Sequence, residues 1–182
     1  MKRLAALFLS VLLCLCFAAC VSIDEPTKET GDAQSSQTGD EGGSASTEET
    51  KNDKFGVNDT AVFKSLKFTA TEIKESTGTE FFKPEDGKIF VGINFTIENV
   101  SNETQSISSL LQFEGYANDV KSDYSFNAAC AFSDGTIDGD VAAGKKLVGW
   151  FAMEVPENWS NIEIIVKPDA FSLSSATFSF EK

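Results

Sequence analysis

The sequence predicts an all-β domain, two antiparallel sheets of about seven strands packed face to face, placed behind a signal peptide and a disordered acidic linker. Three observations lead there. From Phe55 onward short apolar stretches alternate with polar residues at a period of two, turn residues interrupt them at roughly ten-residue spacing, and no stretch carries a good amphipathic helical pattern.

The clearest strand is Ile89-Phe90-Val91-Gly92-Ile93-Asn94-Phe95-Thr96-Ile97-Glu98, in which Ile89, Val91, Ile93, Phe95 and Ile97 fall on one face. The same alternation places Val62, Leu66 and Phe68 in a first strand, although Lys64 interrupts it, and Leu111 with Phe113 in a third. Phe126, Ala128, Cys130 and Phe132 form a fourth face, which makes Cys130 a core residue. Leu147, Gly149, Phe151, Met153 and Val155 form a later one, with Gly149 marking a kink or bulge. Ile162, Ile164 and Val166 follow, and Phe178 with Phe180 closes the chain. Residues 82–88 and 99–105 are rich in Pro, Gly, Asp, Asn and Ser, and read as turns between strands.

The chain begins with Lys2 and Arg3, followed by an apolar run from Leu4 to Ala19 that only Ser10 interrupts. A basic start and a short apolar stretch succeeded by acidic sequence describe a signal peptide over residues 1–19. Phe17-Ala18-Ala19-Cys20 resembles the lipobox of bacterial lipoproteins, although Phe17 departs from the usual leucine. The resemblance implies that Cys20 carries a diacylglyceryl group, with cleavage on its amino side. Cys14 and Cys16 each follow a leucine, not a small residue, and read as apolar filler. The expected location is the extracytoplasmic face of the cell membrane, reached through the N-terminal lipid.

Residues 20–54 hold the lipidated cysteine and a linker made mostly of Ser, Thr, Gly, Glu, Asp and Gln, too poor in apolar side chains to fold alone. As a flexible coil of roughly 32 residues it would span ~30 Å, a stalk lifting a domain at 55–182 off the bilayer. Removal of residues 1–19 takes away Lys2 and Arg3, and so moves the formal charge from −13 to −15. Such an acidic chain repels phosphate backbones, so nucleic acid is excluded as a partner and cationic partners or divalent ions are favoured.

There is no histidine, which removes the commonest general base and the usual zinc ligand together. Once Cys20 is acylated Cys130 is the only thiol, and no internal disulfide can form. The loop Ser133–Asp140 offers Asp134, Asp138 and Asp140 as candidate calcium ligands, though it lacks the spacing and terminal glutamate of an EF-hand. As turn chemistry in an acidic protein it requires no metal, and no cofactor is expected. Gly139 to Lys146 imitates a phosphate-binding loop but lies among strands without a following helix. Trp150 falls on the face opposite Leu147 and Phe151, and Trp159 lies in a turn after Pro156. Both are candidate binding aromatics, with packing under a loop the more ordinary reading.

Three segments together carry a family resemblance: Gly87–Ser101, then Ile137–Asp140 leading to Gly144–Trp150, then Glu154-Val155-Pro156. Their order resembles the telokin-like domains of unknown function, family 4352, of secreted proteins and lipoproteins, mainly of Gram-positive bacteria. The resemblance covers about residues 56–182 and implies an immunoglobulin-like β-sandwich without catalytic residues. The expected role is therefore a non-enzymatic binding module that meets another envelope protein. A solute-binding sensor domain and a glycan hydrolase built on two carboxylates are the alternatives.

Overall fold

The computed structural model describes residues 25–30, 54–133 and 135–182. Cys20 and the signal segment lie outside them, as does Asp134.

The described residues form eleven strands and two single-turn helices. β1 (Thr27–Thr30), β2 (Asp59–Val62), β3 (Leu66–Ser76), β4 (Lys88–Asn99) and β9 (Lys146–Pro156) make a five-stranded antiparallel sheet in the order β1-β2-β3-β4-β9. β6 (Phe113–Ala117), β7 (Val120–Lys121), β10 (Asn161–Val166) and β11 (Ala176–Glu181) make a second sheet in the order β11-β10-β6-β7. β5 (Gln105–Ile107) and β8 (Gly139–Val141) pair as a separate ribbon. The helices are α1 (Ser109–Gln112) and α2 (Phe126–Ala129).

The two larger sheets close face to face over one core. Phe95 of β4 meets Phe178 of β11 at 5.2 Å and Phe113 of β6 at 5.5 Å, and Phe151 of β9 stacks on Phe113 at 5.4 Å. Ring contacts of this kind contribute beyond the area they bury. The predicted all-β antiparallel sandwich is thus the fold, with more strands than the seven or so expected. Phe55 fastens the start of the domain to the second sheet, its N–H donating to Thr177 and its carbonyl accepting from Ser179.

Several expected elements differ. Val62, Leu66 and Phe68 do not share one strand. β2 ends at Val62, Phe63 N–H donates to the Leu66 carbonyl, and β3 begins, so Lys64, which broke the alternation, sits in the turn. Leu111 is not in a strand but in α1, with Phe113 opening β6. The Phe126–Phe132 face is not a strand either. Ser125 caps α2 by accepting from Ala128 N–H, and Ala128 and Ala129 pack on Phe90 and Ala152 while Phe126 points outward. Cys130 follows that helix and is exposed, which corrects its reading as a core residue.

β4 and β9 pair without a register shift, so Gly149 makes no bulge. It is needed for close approach instead: a Cβ there would lie 2.5 Å from the Thr136 carbonyl oxygen. The register shift falls in β3, between Ala70 and Glu72. The intervening Thr71 turns its hydroxyl to Asn94 Oδ1 at 2.8 Å.

The linker also holds a strand. Thr27–Thr30 pairs antiparallel with β2, Thr27 opposite Val62 and Thr30 opposite Asp59. Charge fastens it: Lys28 reaches Asp59 at 2.7 Å, and Lys67 reaches Glu29 at 2.9 Å. Composition alone reports burial, and this edge strand needs little because its partner already exists.

Candidate interaction surface

Residues 124–133 and 135–138 cross the outer face of β4 and β9, so Phe90, Gly92 and Asn94 are buried on that side although the core lies on the other. Trp150 belongs to this covered face. It is 2% exposed, stacks on Phe132 at 4.8 Å, and has Lys74 Nζ 5.4 Å from its ring. Its backbone N–H donates to the Gly135 carbonyl.

Trp159 is also buried. Its Nε1 donates to Glu75 at 2.7 Å, and Lys182 Nζ reaches the same carboxylate oxygen at 2.6 Å while lying over the indole ring. Neither tryptophan is a surface group: both are packed, the more ordinary of the two readings, and the binding alternative falls away. The Lys182 hydrogen bond, with that of Trp159, holds the Glu75 carboxyl below the usual glutamate range, although partial burial works the other way.

A depressed carboxyl stabilises the fold above its unfolded value, about pH 4.3, and loses that contribution as pH falls through the folded value. Trp159 fluorescence should therefore change with an acid limb below that pH, and Glu75→Gln should abolish the limb. An identical limb in the variant would refute the assignment.

Asp138 accepts from Ser109 N–H at 2.8 Å and from its hydroxyl at 3.0 Å, and Asp140 accepts from the Ser106 hydroxyl. These bonds fasten α1 and β5 to the segment before β9. The calcium reading of the loop therefore has two carboxylates occupied by protein hydroxyls and an amide. Its third member, Asp134, is outside the described residues. Among the described residues no group of three or more metal-ligating side chains comes together. The phosphate-loop imitation runs from β8 through a turn at Gly144 into β9, without a helix.

The aromatic groups that do face solvent are others. At the end of the sandwich where β3 passes to β4, Phe81 is 83% exposed and Phe126 is 65% exposed. Between them lies Phe82, edge-on to Phe126 at 6.4 Å. Thr79 locks the loop: its hydroxyl accepts from Phe81 and Phe82 N–H, and its own N–H donates to the Phe82 carbonyl at 2.7 Å. Gly78 has φ +91°, and a Cβ there would meet the Phe82 carbonyl oxygen at 2.2 Å, so only glycine fits. Glu154 accepts from Glu85 N–H at 2.9 Å, and Lys88 pairs with Glu85 at 2.6 Å. That bond holds the Glu85 carboxyl below its ordinary range. The rim carries Glu80, Glu85, Asp86, Asp123 and Glu154 against Lys83, Lys88 and Lys121.

This rigid, acid-rimmed aromatic tip can meet an apolar, cationic surface by hydrophobic contact and charge. The sequence reading passed over it. The available signal was Phe81-Phe82 standing in a Thr-Gly-Thr-Glu…Lys-Pro-Glu-Asp-Gly stretch, where neighbouring aromatics have no strand to bury both.

Comparison with known proteins accords with this picture of the fold. The chain is similar to a candidate lipoprotein (ycdA) of Bacillus subtilis, with 16% identity and a TM-score of 0.54 over 64% of this chain and 36% of that one. It thus spans about a third of that protein's length. Further similarity is to an uncharacterized β-sandwich protein of Clostridium difficile, with 14% identity and a TM-score of 0.48 over 75% of this chain and all of that one. A hypothetical protein of Bacillus anthracis is similar at 17% identity and a TM-score of 0.48, over 65% of this chain and 94% of that one. No curated protein matches. A family model matches residues 55–176, and by that match the chain belongs to DUF4352, a domain of unknown function.

Proposed function

We infer that this protein is a lipid-anchored, extracytoplasmic module that works by binding, and that its aromatic tip receives a basic, partly apolar segment of another envelope protein. The observation that carries the reading is the exposure of Phe81 and Phe126 on loops locked by Thr79 and Ser125, inside an acidic rim. Large apolar groups held rigidly in water lose little entropy on contact, and aromatic anchors dominate such interfaces. The signal segment and Cys20 supply the location, and the similarity to a candidate lipoprotein supports it.

Two measurements test this. Fatty-acid label should be incorporated at Cys20 and lost in Cys20→Ala, with the variant leaving the membrane fraction. Equal labelling of the variant would end the anchor reading. Mature protein should recover a basic envelope partner by crosslinking, and Phe81→Ser with Phe126→Ser should weaken that recovery about ten-fold or more. Unchanged recovery by the double variant would remove the tip from the interaction.

A further inference from the structure

We propose that the opposite end of the sandwich is a membrane-docking surface, with Phe171 and Leu173 inserted into the headgroup and acyl boundary of the bilayer that holds the Cys20 lipid. The proposal rests on the lipid-anchor reading above and adds an orientation to it.

The geometry begins with β1. It runs antiparallel to β2 with Thr27 opposite Val62, so the chain arriving from Cys20 joins the sandwich at the end where β2 turns into β3. Thr27 follows Cys20 by seven positions, seven Cα-to-Cα steps. Even fully extended they reach at most about 25 Å. The linker beyond Thr30 therefore adds nothing to the distance between the lipid and this end, and the expected ~30 Å stalk is shortened accordingly.

The same end holds the connection from β10 to β11. Phe171 is 93% exposed there and Leu173 79%. The display is built: Phe171 N–H donates to Asp169 Oδ1 at 2.8 Å, and Ser174 N–H donates to the Ser172 hydroxyl at 3.1 Å. Gln112 ties α1 to this loop, its side-chain amide donating to the Pro168 carbonyl at 3.0 Å. That places Leu110 and Leu111, 71% and 64% exposed, beside it. Four large apolar side chains thus crown the end to which the lipid is tethered, where a monomer in water normally shows no such grouping.

Charge separates the two ends. The connections here, with the arriving chain, carry Lys64, Lys145 and Lys167 against Glu25, Glu103, Asp138 and Asp169, a balance of −1. The aromatic tip at the far end is more acidic, and an anionic bilayer would repel it. The lipid-tethered end is thus apolar and only weakly charged, and the more acidic end is turned outward.

The test uses the mature lipidated protein in vesicles of phosphatidylglycerol and phosphatidylethanolamine. A nitroxide is placed at Phe171→Cys, with Phe81→Cys as the control, both with Cys130→Ala so that each protein has one free thiol. At position 171 the collision ratio of oxygen to a water-soluble nickel chelate should rise about five-fold or more over position 81, as expected for burial at the interface. Equal ratios at the two positions, with mass spectrometry showing the lipid on Cys20, overturn the docking alone. Spin–spin broadening at position 171 assigns the surface to a second copy and also overturns it. Absence of the lipid from Cys20 overturns the anchor reading, and the docking with it.

Discussion

Phe95→Ala is expected to destabilise the domain by about 3–5 kcal/mol, the usual cost of removing a buried ring and leaving its cavity. Phe95 is fully buried on β4 and touches Phe113 and Phe178, which belong to β6 and β11 of the facing sheet. Truncation leaves both partners without the ring that joins the layers. The cavity is bounded by backbone already fixed in paired strands on each side, so it cannot collapse. For a domain of this size the melting temperature should fall by on the order of 10–20 °C. A fall of less than about 5 °C in a thermal scan would mean that the sheets are not held together here.

Gly149→Ala is the second change with a large expected effect, and it tests the covering layer instead of the core. A Cβ at that position would lie 2.5 Å from the Thr136 carbonyl oxygen and 3.1 Å from that of Gly135. Both contacts are backbone, so no side-chain rotation relieves them. The segment over β9 must lift, and the bond from Trp150 N–H to the Gly135 carbonyl goes with it. Overpacking of this kind costs about 1–3 kcal/mol. Trp150 should become accessible to acrylamide while the core keeps its far-ultraviolet signal. A variant with wild-type stability and unchanged quenching would show that the layer yields without strain.

How much could be read in advance varies by element. β4 was legible almost residue by residue, because Val91, Ile93, Phe95 and Ile97 all enter the core and alternation is a direct consequence of the pleat. β10 was equally plain in Ile162, Ile164 and Val166. The pattern failed where apolar residues fall at alternate positions by chance. Phe126, Ala128, Cys130 and Phe132 imitate a strand, yet a Ser125 cap and two small alanines let a turn of helix seat on Phe90. Period-two spacing over four positions cannot exclude a helical turn, since burial is decided by what the neighbouring surface offers.

The candidate sites divide in the same way. Trp150 alternates away from the core face of β9, and only the chain segment folded across that face hides it. Trp159 follows a proline in a turn, and Glu75, distant in sequence, supplies the carboxylate that makes its burial affordable. Phe126 and Phe171 carried no warning of their exposure, and Phe81 only the turn-rich stretch around it, because a phenylalanine in a loop can bury itself or stand out according to contacts that are not local.

By itself the sequence determined the class of fold, the principal strands, the turns between them, the acidic surface without histidine and the expectation of a lipid at Cys20. All of these follow from composition and short-range periodicity, which act residue by residue. Tertiary structure decided which aromatics meet water, why Gly149 is required, and that Thr27–Thr30 joins the sheet at the end crowned by Phe171 and Leu173. Each of those depends on which distant segments share a surface, and that is settled only when the two sheets and the covering segment close together.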